Sequence, residues 1–177
     1  MTNSATHLKL TVYTSLLVAL IAVGAVISIP IGPVPVVLQN MFVLLAGILL
    51  GPIWGFYCIT VYLIIGFAGL PVFAGGTSGI GKLFGPTGGY LLAYLPCIII
   101  TGAVSRGLGK KMVADIFAMV AGSLIVYAIG VCWLAYFAAI DLSKAMAVGL
   151  YPFILPDAVK IAVAALMAKS LRPIMKL

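Results

Sequence analysis

The sequence predicts an all-α integral membrane protein with six transmembrane helices and both termini in the cytoplasm. Three observations carry this. The 177-residue chain is 64% hydrophobic and 7% charged, with a mean hydropathy of +1.31, whereas a soluble domain carries about 25% charged residues. The apolar runs are continuous and approach the ~20 residues that cross a bilayer as a helix, rather than alternating as in a membrane β-barrel. The positive charges sit in short segments beside those runs, the pattern of topology signals.

The first run spans residues 10–29, with small residues Ser15, Ala19, Ala22 and Ala25 along it. No cleavable leader is expected, because this run is long enough to span and Pro30 follows it instead of a small-residue cleavage site. Residues 30–37 hold three prolines and a glycine and read as an irregular loop. The second and third spans, 34–50 and 52–67, are separated by a very tight turn at Gly51-Pro52. Gly47, Gly51 and Gly55 are spaced by four, which lets backbones touch where helices cross. The fourth span covers 88–101 and extends toward 108, where a basic turn, 106–111, follows. The fifth covers 113–139, with Asp115 in its first turn complementing the helix dipole. Residues 141–149 read as a short interfacial helix or loop, and 151–171 as the sixth span. The whole chain, 1–177, reads as one domain.

Orientation follows from the charges. With alternating helices, Lys9, Arg106, Lys110, Lys111, Lys169, Arg172 and Lys176 fall on one side. Only Lys82 and Lys144 fall in loops on the other. The positive side is the inside, so loops 30–37 and 69–88 are expected outside, covering a site.

The second of these loops is the least ordinary stretch. In GLPVFAGGTSGIGKLFGPTGGY, residues 69–90, eight of 22 residues are glycine. That is too long for a plain helix–helix connection of about 2–8 residues, and glycine lets backbone approach a ligand closely. Gly76 to Leu83, GTSGIGKL, approximates a phosphate-binding loop. However, Leu83 replaces the hydroxyl residue that would hold magnesium, and the stretch does not follow a strand. Nucleotide binding is therefore not expected. The net charge of +7 reflects topology and not a nucleic-acid surface. Cys58, Cys97 and Cys132 lie within apolar runs and imply no disulfide or metal framework. With three acids and one histidine there is no nucleophile–base relay, so no enzyme is expected.

The sharpest chemical signal is Asp157 and Lys160. Three apart on a helix, they share a face, and charges within a span face the protein interior. Pro156 beside them removes an N–H and should kink the helix. Polar or aromatic residues at comparable depth are Gln39, Asn40, Thr77, Ser78, Thr87, Tyr90 and Tyr94. Trp133 and Tyr136 fit an interfacial belt as well as a site. Together these residues suit a small, mostly apolar pocket for an amphipathic solute. The lysine favours an anion, and nothing offers the carboxylate cluster that an organic cation needs.

The combination GPVPVVLQN, AGILLGP, GLPVFAGG, GPTGGYL and YPFILPDAVK resembles the BioY family, the biotin-specific S components of energy-coupling factor (ECF) transporters. The resemblance runs from the first helix to the sixth. It implies the ECF S-component fold, biotin bound near the outer surface of a prokaryotic cell membrane, and loops closing over it. The implied partners are a transmembrane coupling protein and two ATP-hydrolysing subunits, with no cofactor. By the same resemblance, Ser15 and Ala19 stand at the small-residue positions that dock the coupling protein, and Asp157 and Lys160 form the polar pair of the sixth helix. Gln39, Asn40 and Tyr90 match further site positions. Asp157 would accept from the ureido N–H groups of biotin. Lys160 would meet either the ureido carbonyl or the valerate carboxylate; if the bicyclic head enters first, Lys160 meets the head and the tail lies under the loops near Lys82. Phe73, Phe84 and Tyr90 would cover the apolar ring, and Gly75, Thr77, Ser78 and Thr87 would bring loop groups to the ligand. The alternatives are an S component for another vitamin and a stand-alone secondary transporter. The latter usually shows internal repeats or a midplane carboxylate.

Overall fold

A computed structural model of the chain describes residues 3–175. It is an all-helical bundle with one small β-hairpin. The order is α1 (Asn3–Val26), β1 (Ser28–Ile29), β2 (Val36–Val37), α2 (Gln39–Phe67), a 3₁₀ turn (Ile80–Lys82), α3 (Gly88–Gly107), α4 (Met112–Ala138), α5 (Leu142–Gly149) and α6 (Tyr151–Met175). Five of these helices, α1 to α4 and α6, are long and apolar enough to cross a membrane. Lys176, counted above among the topology signals, lies outside the described residues.

Residues 30–37 are more regular than their prolines suggest. Ser28 pairs with Val37 and Ile29 with Val36, antiparallel. The first helix therefore ends at Val26 and the second starts at Gln39, not at residues 29 and 34. Pro33 and Pro35 each lack an N–H and push the residue before them into extended backbone. That excludes helix and suits a short ribbon.

Helix α2 is not straight. Gly51 stands at φ 77°, ψ −174° inside it. A β-carbon at Gly55 would lie 3.7 Å from the Cα of Gly47, whereas eight residues of uninterrupted helix separate such atoms by about 12 Å. The chain therefore doubles back at Gly51. Pro52 fits immediately after, since the first turn of a helix needs no N–H from it. Helix α3 packs against the fold of this hairpin through Gly102. A β-carbon there would come within 2.5 Å of the Pro52 nitrogen, so only glycine allows the approach. Helix α3 lies between α2 and α4, and α6 closes the bundle against both. Leu44, Leu45, Leu50, Ile59, Ile98 and Met119 fill the interior. Val12, Leu16, Leu124, Val159 and Leu166 face outward, an apolar exterior suited to lipid.

At the end of the bundle where α1 begins and α6 ends, a polar clasp ties four segments. The Arg172 guanidinium of α6 donates to Asp115 of α4 at 2.6 and 2.7 Å, to the Ser105 hydroxyl of α3 at 3.0 Å and to the Ile48 carbonyl of α2 at 3.2 Å. The Ser105 hydroxyl also donates to Asp115 at 2.6 Å. Arg106 donates to the Leu50 carbonyl at 2.8 Å, at the point where Gly51 interrupts the helical ladder. Asp115 is buried. Its role is therefore larger than the dipole partner expected from sequence, and Arg172 is more than a topology signal.

Arg172→Ala would strand a buried carboxylate. Removing one member of a buried pair costs about 3–5 kcal/mol, and the partial exposure of Arg172 places the expected loss toward the lower end. A thermal melt in detergent should show a clear drop in midpoint for Arg172→Ala. Replacing both partners, as Arg172→Met with Asp115→Leu, should recover most of it. An unchanged melt in the single variant would show that the clasp contributes nothing.

Candidate functional site

The opposite end of the bundle, here the loop end, encloses a cavity of about 440 Å³. Its floor comes from α2, α3, α4 and α6, one wall from residues 33–37, and the other from the glycine-rich segment. The helix starts explain why the polar groups meet there. Gln39 and Asn40 open α2, Tyr90 and Tyr94 lie in the first two turns of α3, and Asp157 and Lys160 lie two turns into α6.

On the floor, Asp157, Lys160 and Asn40 close a hydrogen-bonded ring. The Lys160 ammonium donates to Asp157 Oδ1 at 2.8 Å and to Asn40 Oδ1 at 3.1 Å. The Asn40 amide donates to Asp157 Oδ2 at 2.8 Å, and the Tyr127 hydroxyl of α4 donates to the same oxygen. The two charged side chains are only 8% and 7% exposed. Isolated charges at such depth are strongly disfavoured, and the pair persists because each charge meets its opposite and further hydrogen bonds.

The ring retains unused capacity. An ammonium has three protons and a carboxylate about four acceptor positions. Lys160 uses two protons within the ring, and Asp157 receives three donors. Beside them the amide nitrogen of Gln39, a buried residue that also lines the cavity, has no hydrogen-bond partner. The site thus offers one ammonium proton and one carboxylate position within apolar walls, with the Gln39 amide nitrogen enclosed beside them. That set suits a small amphipathic solute carrying both N–H donors and an oxygen acceptor.

The structure brings Gln39, Asn40, Phe73, Thr77, Ser78, Thr87, Tyr90, Asp157 and Lys160 to this one cavity. Phe84 and Gly75 do not line it. Phe84 is 65% exposed and follows directly on the 3₁₀ turn Ile80–Lys82 and its cap Leu83. Gly75 instead anchors the segment, donating its N–H to the Ala25 carbonyl at the end of α1 at 3.0 Å with φ +70°.

Two aromatic residues of the cavity wall also anchor it. Phe73 is buried against Gly66, between Tyr62 and Phe67, while the Tyr62 hydroxyl donates to the Val72 carbonyl at 2.8 Å. Tyr90 lies against Gly130 and donates its hydroxyl to the Gly149 carbonyl at 2.9 Å. Of the two residues left between belt and site, neither lines the cavity. Trp133 donates its indole N–H to the Gly85 carbonyl at 2.9 Å and so latches the glycine-rich segment. Tyr136 is exposed. Ser15 and Ala19 lie on an uncovered face of α1.

Sequence reasoning missed Tyr127 and Phe153. Both line the cavity, and Tyr127 completes the floor. The available signal was spacing: Ser123 and Tyr127, four apart, are polar-tipped residues on one face of an otherwise apolar span.

The sequence model of the BioY family matches residues 1–177. A protein of Pyrococcus horikoshii named as a probable biotin transporter BioY is 46% identical over 158 residues, covering 89% of this chain and 93% of its own. The biotin transporter BioY of Thermotoga maritima is 43% identical over 155 residues, covering 87% and 90%. Among solved structures, the S-component for biotin from an ECF-type ABC transporter, a crystal structure at 2.1 Å, superposes with a TM-score of 0.90. It is 31% identical, and the match covers 98% of this chain and 95% of that one. The chain is accordingly a multi-pass membrane protein with the S-component fold, and it belongs to the BioY family.

Proposed function

We propose that this chain is the biotin-binding membrane subunit of an ECF-type vitamin uptake transporter, not itself an enzyme. It delivers biotin inward with a transmembrane coupling protein and two ATP-binding subunits. The observation that carries the reading is the partly unsatisfied ring of Asp157, Lys160 and Asn40 on the floor of a 440 Å³ cavity, within a chain of the BioY family. That volume lies in the range of small-molecule sites, roughly 300–1,000 Å³.

In this reading the chain crosses a prokaryotic cell membrane six times, with the two halves of α2 counted separately and both termini cytoplasmic. Lys9, Arg106, Lys110, Lys111, Lys169 and Arg172 then lie on the cytoplasmic side, and the cavity opens outward. The ureido head of biotin enters first. One of its N–H groups donates to the free position of Asp157, and its carbonyl accepts the remaining proton of Lys160. The Gln39 amide donates to a ligand oxygen. The valerate carboxylate lies near Lys82 at the rim. Phe73, Tyr90 and Phe153 cover the apolar ring, while Thr77, Ser78 and Thr87 of the glycine-rich segment line the entrance. Residues 30–37 and 69–88 close over the ligand. Ser15 and Ala19, on the open face of α1, dock the coupling protein.

Equilibrium binding to the purified protein in detergent, without ATP, tests the ligand, with thiamine and riboflavin as controls. Selective biotin binding is expected. Selective binding of another vitamin would keep the fold and overturn the ligand, whereas uptake without any ATP-hydrolysing partner would favour a stand-alone transporter. Asp157→Asn and Lys160→Ala should each weaken biotin binding at least about tenfold, the scale of one hydrogen bond to a charged group. Wild-type affinity in either would return the pair to a packing role. Ser15→Trp and Ala19→Trp should spare binding and abolish ATP-driven uptake in cells carrying the partner subunits. Normal uptake would exclude this face as the dock.

A further inference from the structure

A second, smaller cavity lies directly beneath the ring. It is lined by Asn40, Tyr94, Ser123, Tyr127 and Asp157, with apolar side chains of α2, α3 and α4 completing the wall. Its volume, about 10 Å³, matches a single water, which needs roughly 10–15 Å³ on this measure and two to four polar partners. Ser123 stands one turn deeper in α4 than Tyr127, toward the middle of the bundle. It is 8% exposed, and its hydroxyl has no hydrogen-bond partner. A buried hydroxyl without a partner is strongly disfavoured.

The position of this orphan is informative. The Tyr127 phenol uses its proton on Asp157 and keeps its own lone pairs free to accept. Asp157 takes donors from Asn40, Lys160 and Tyr127 and lines both the larger and the smaller cavity. Asp157 and Lys160 cancel in charge, so the space beneath favours a neutral occupant over a cation.

We propose that this cavity is a binding site for one structural water, held between the Ser123 hydroxyl and the polar groups of the ring, and that Ser123 is a positioning residue for Asp157. The water joins Ser123 to Tyr127 and so fixes the phenol that in turn fixes the carboxylate. The face of Asp157 toward the larger cavity then keeps one orientation for the ligand. Ser123 touches no ligand and acts only through this chain of contacts.

Three variants of the full-length protein separate hydroxyl from shape. Ser123→Ala removes the hydroxyl. Ser123→Thr and Ser123→Val have the same outline and differ only in carrying a hydroxyl or a methyl. Two readouts are taken: biotin affinity, which rests on the function proposed above, and the infrared carboxylate band of Asp157, which does not. The band is identified as the one lost in Asp157→Asn. The expected result is an affinity about three- to tenfold weaker for Ser123→Ala, the scale of one lost hydrogen bond, with Ser123→Thr at least about threefold tighter than Ser123→Val. The band should shift in Ser123→Ala and Ser123→Val and not in Ser123→Thr. Wild-type affinity in Ser123→Ala, equal affinity of Ser123→Thr and Ser123→Val, or a band unmoved by Ser123→Ala would each overturn the proposal. If the wild-type protein binds no biotin, the ligand assignment fails and the band alone decides whether Ser123 positions Asp157.

Discussion

A buried pair of opposite charges constrains the loop end of this protein. Asp157 and Lys160 lie within an apolar bundle, where each alone would be very unfavourable. Their position on one helix brings them together but does not saturate them. Asn40 from α2 and Tyr127 from α4 supply the missing hydrogen bonds. Three helices therefore have to converge at one point, and that convergence is the floor of the cavity.

The clasp around Arg172 is an instructive contrast. It too joins an acid and a base across helices, at the other end of the bundle. There the guanidinium reaches a carboxylate, a hydroxyl and the backbone carbonyls of Ile48 and Lys110 together. The ring around Lys160 keeps an ammonium proton and a carboxylate position in reserve and faces open space. A closed polar knot stabilises helix packing. A partly open one facing a cavity can also bind. This difference in saturation, more than charge or depth, separates the structural pair from the candidate site.

Much of the arrangement was legible in the residues. The spans, the reversal at Gly51-Pro52 and the i,i+3 pair follow from local pattern, and local pattern needs no tertiary knowledge. What escaped was long-range. Tyr127 meets Asp157 across 30 positions and Arg172 meets Asp115 across 57, so neither partnership leaves a periodic trace. Phe84 and Gly75 stand away from the cavity lining for a different reason. Both lie in the glycine-rich segment, where the course of the chain depends on individual positive-φ glycines and on one short 3₁₀ turn. The prolines of residues 30–37 suggest an irregular loop, yet the same prolines favour the extended backbone that the hairpin uses.

The reversal at Gly51 bears on how such a chain enters a membrane during synthesis. The halves of α2, residues 39–50 and 52–67, measure about 18 and 24 Å at 1.5 Å per residue, against a hydrocarbon thickness of about 30 Å. Neither reaches the length of a free-standing span, and no charged loop between them can serve as a topological signal. The two halves of residues 39–67 therefore favour entering lipid together as one hairpin, whose tip lies at the Arg172 end of the bundle. The direction it takes is set by the basic residues flanking its neighbours, so the most buried segment of the fold inherits its orientation from the helices on either side.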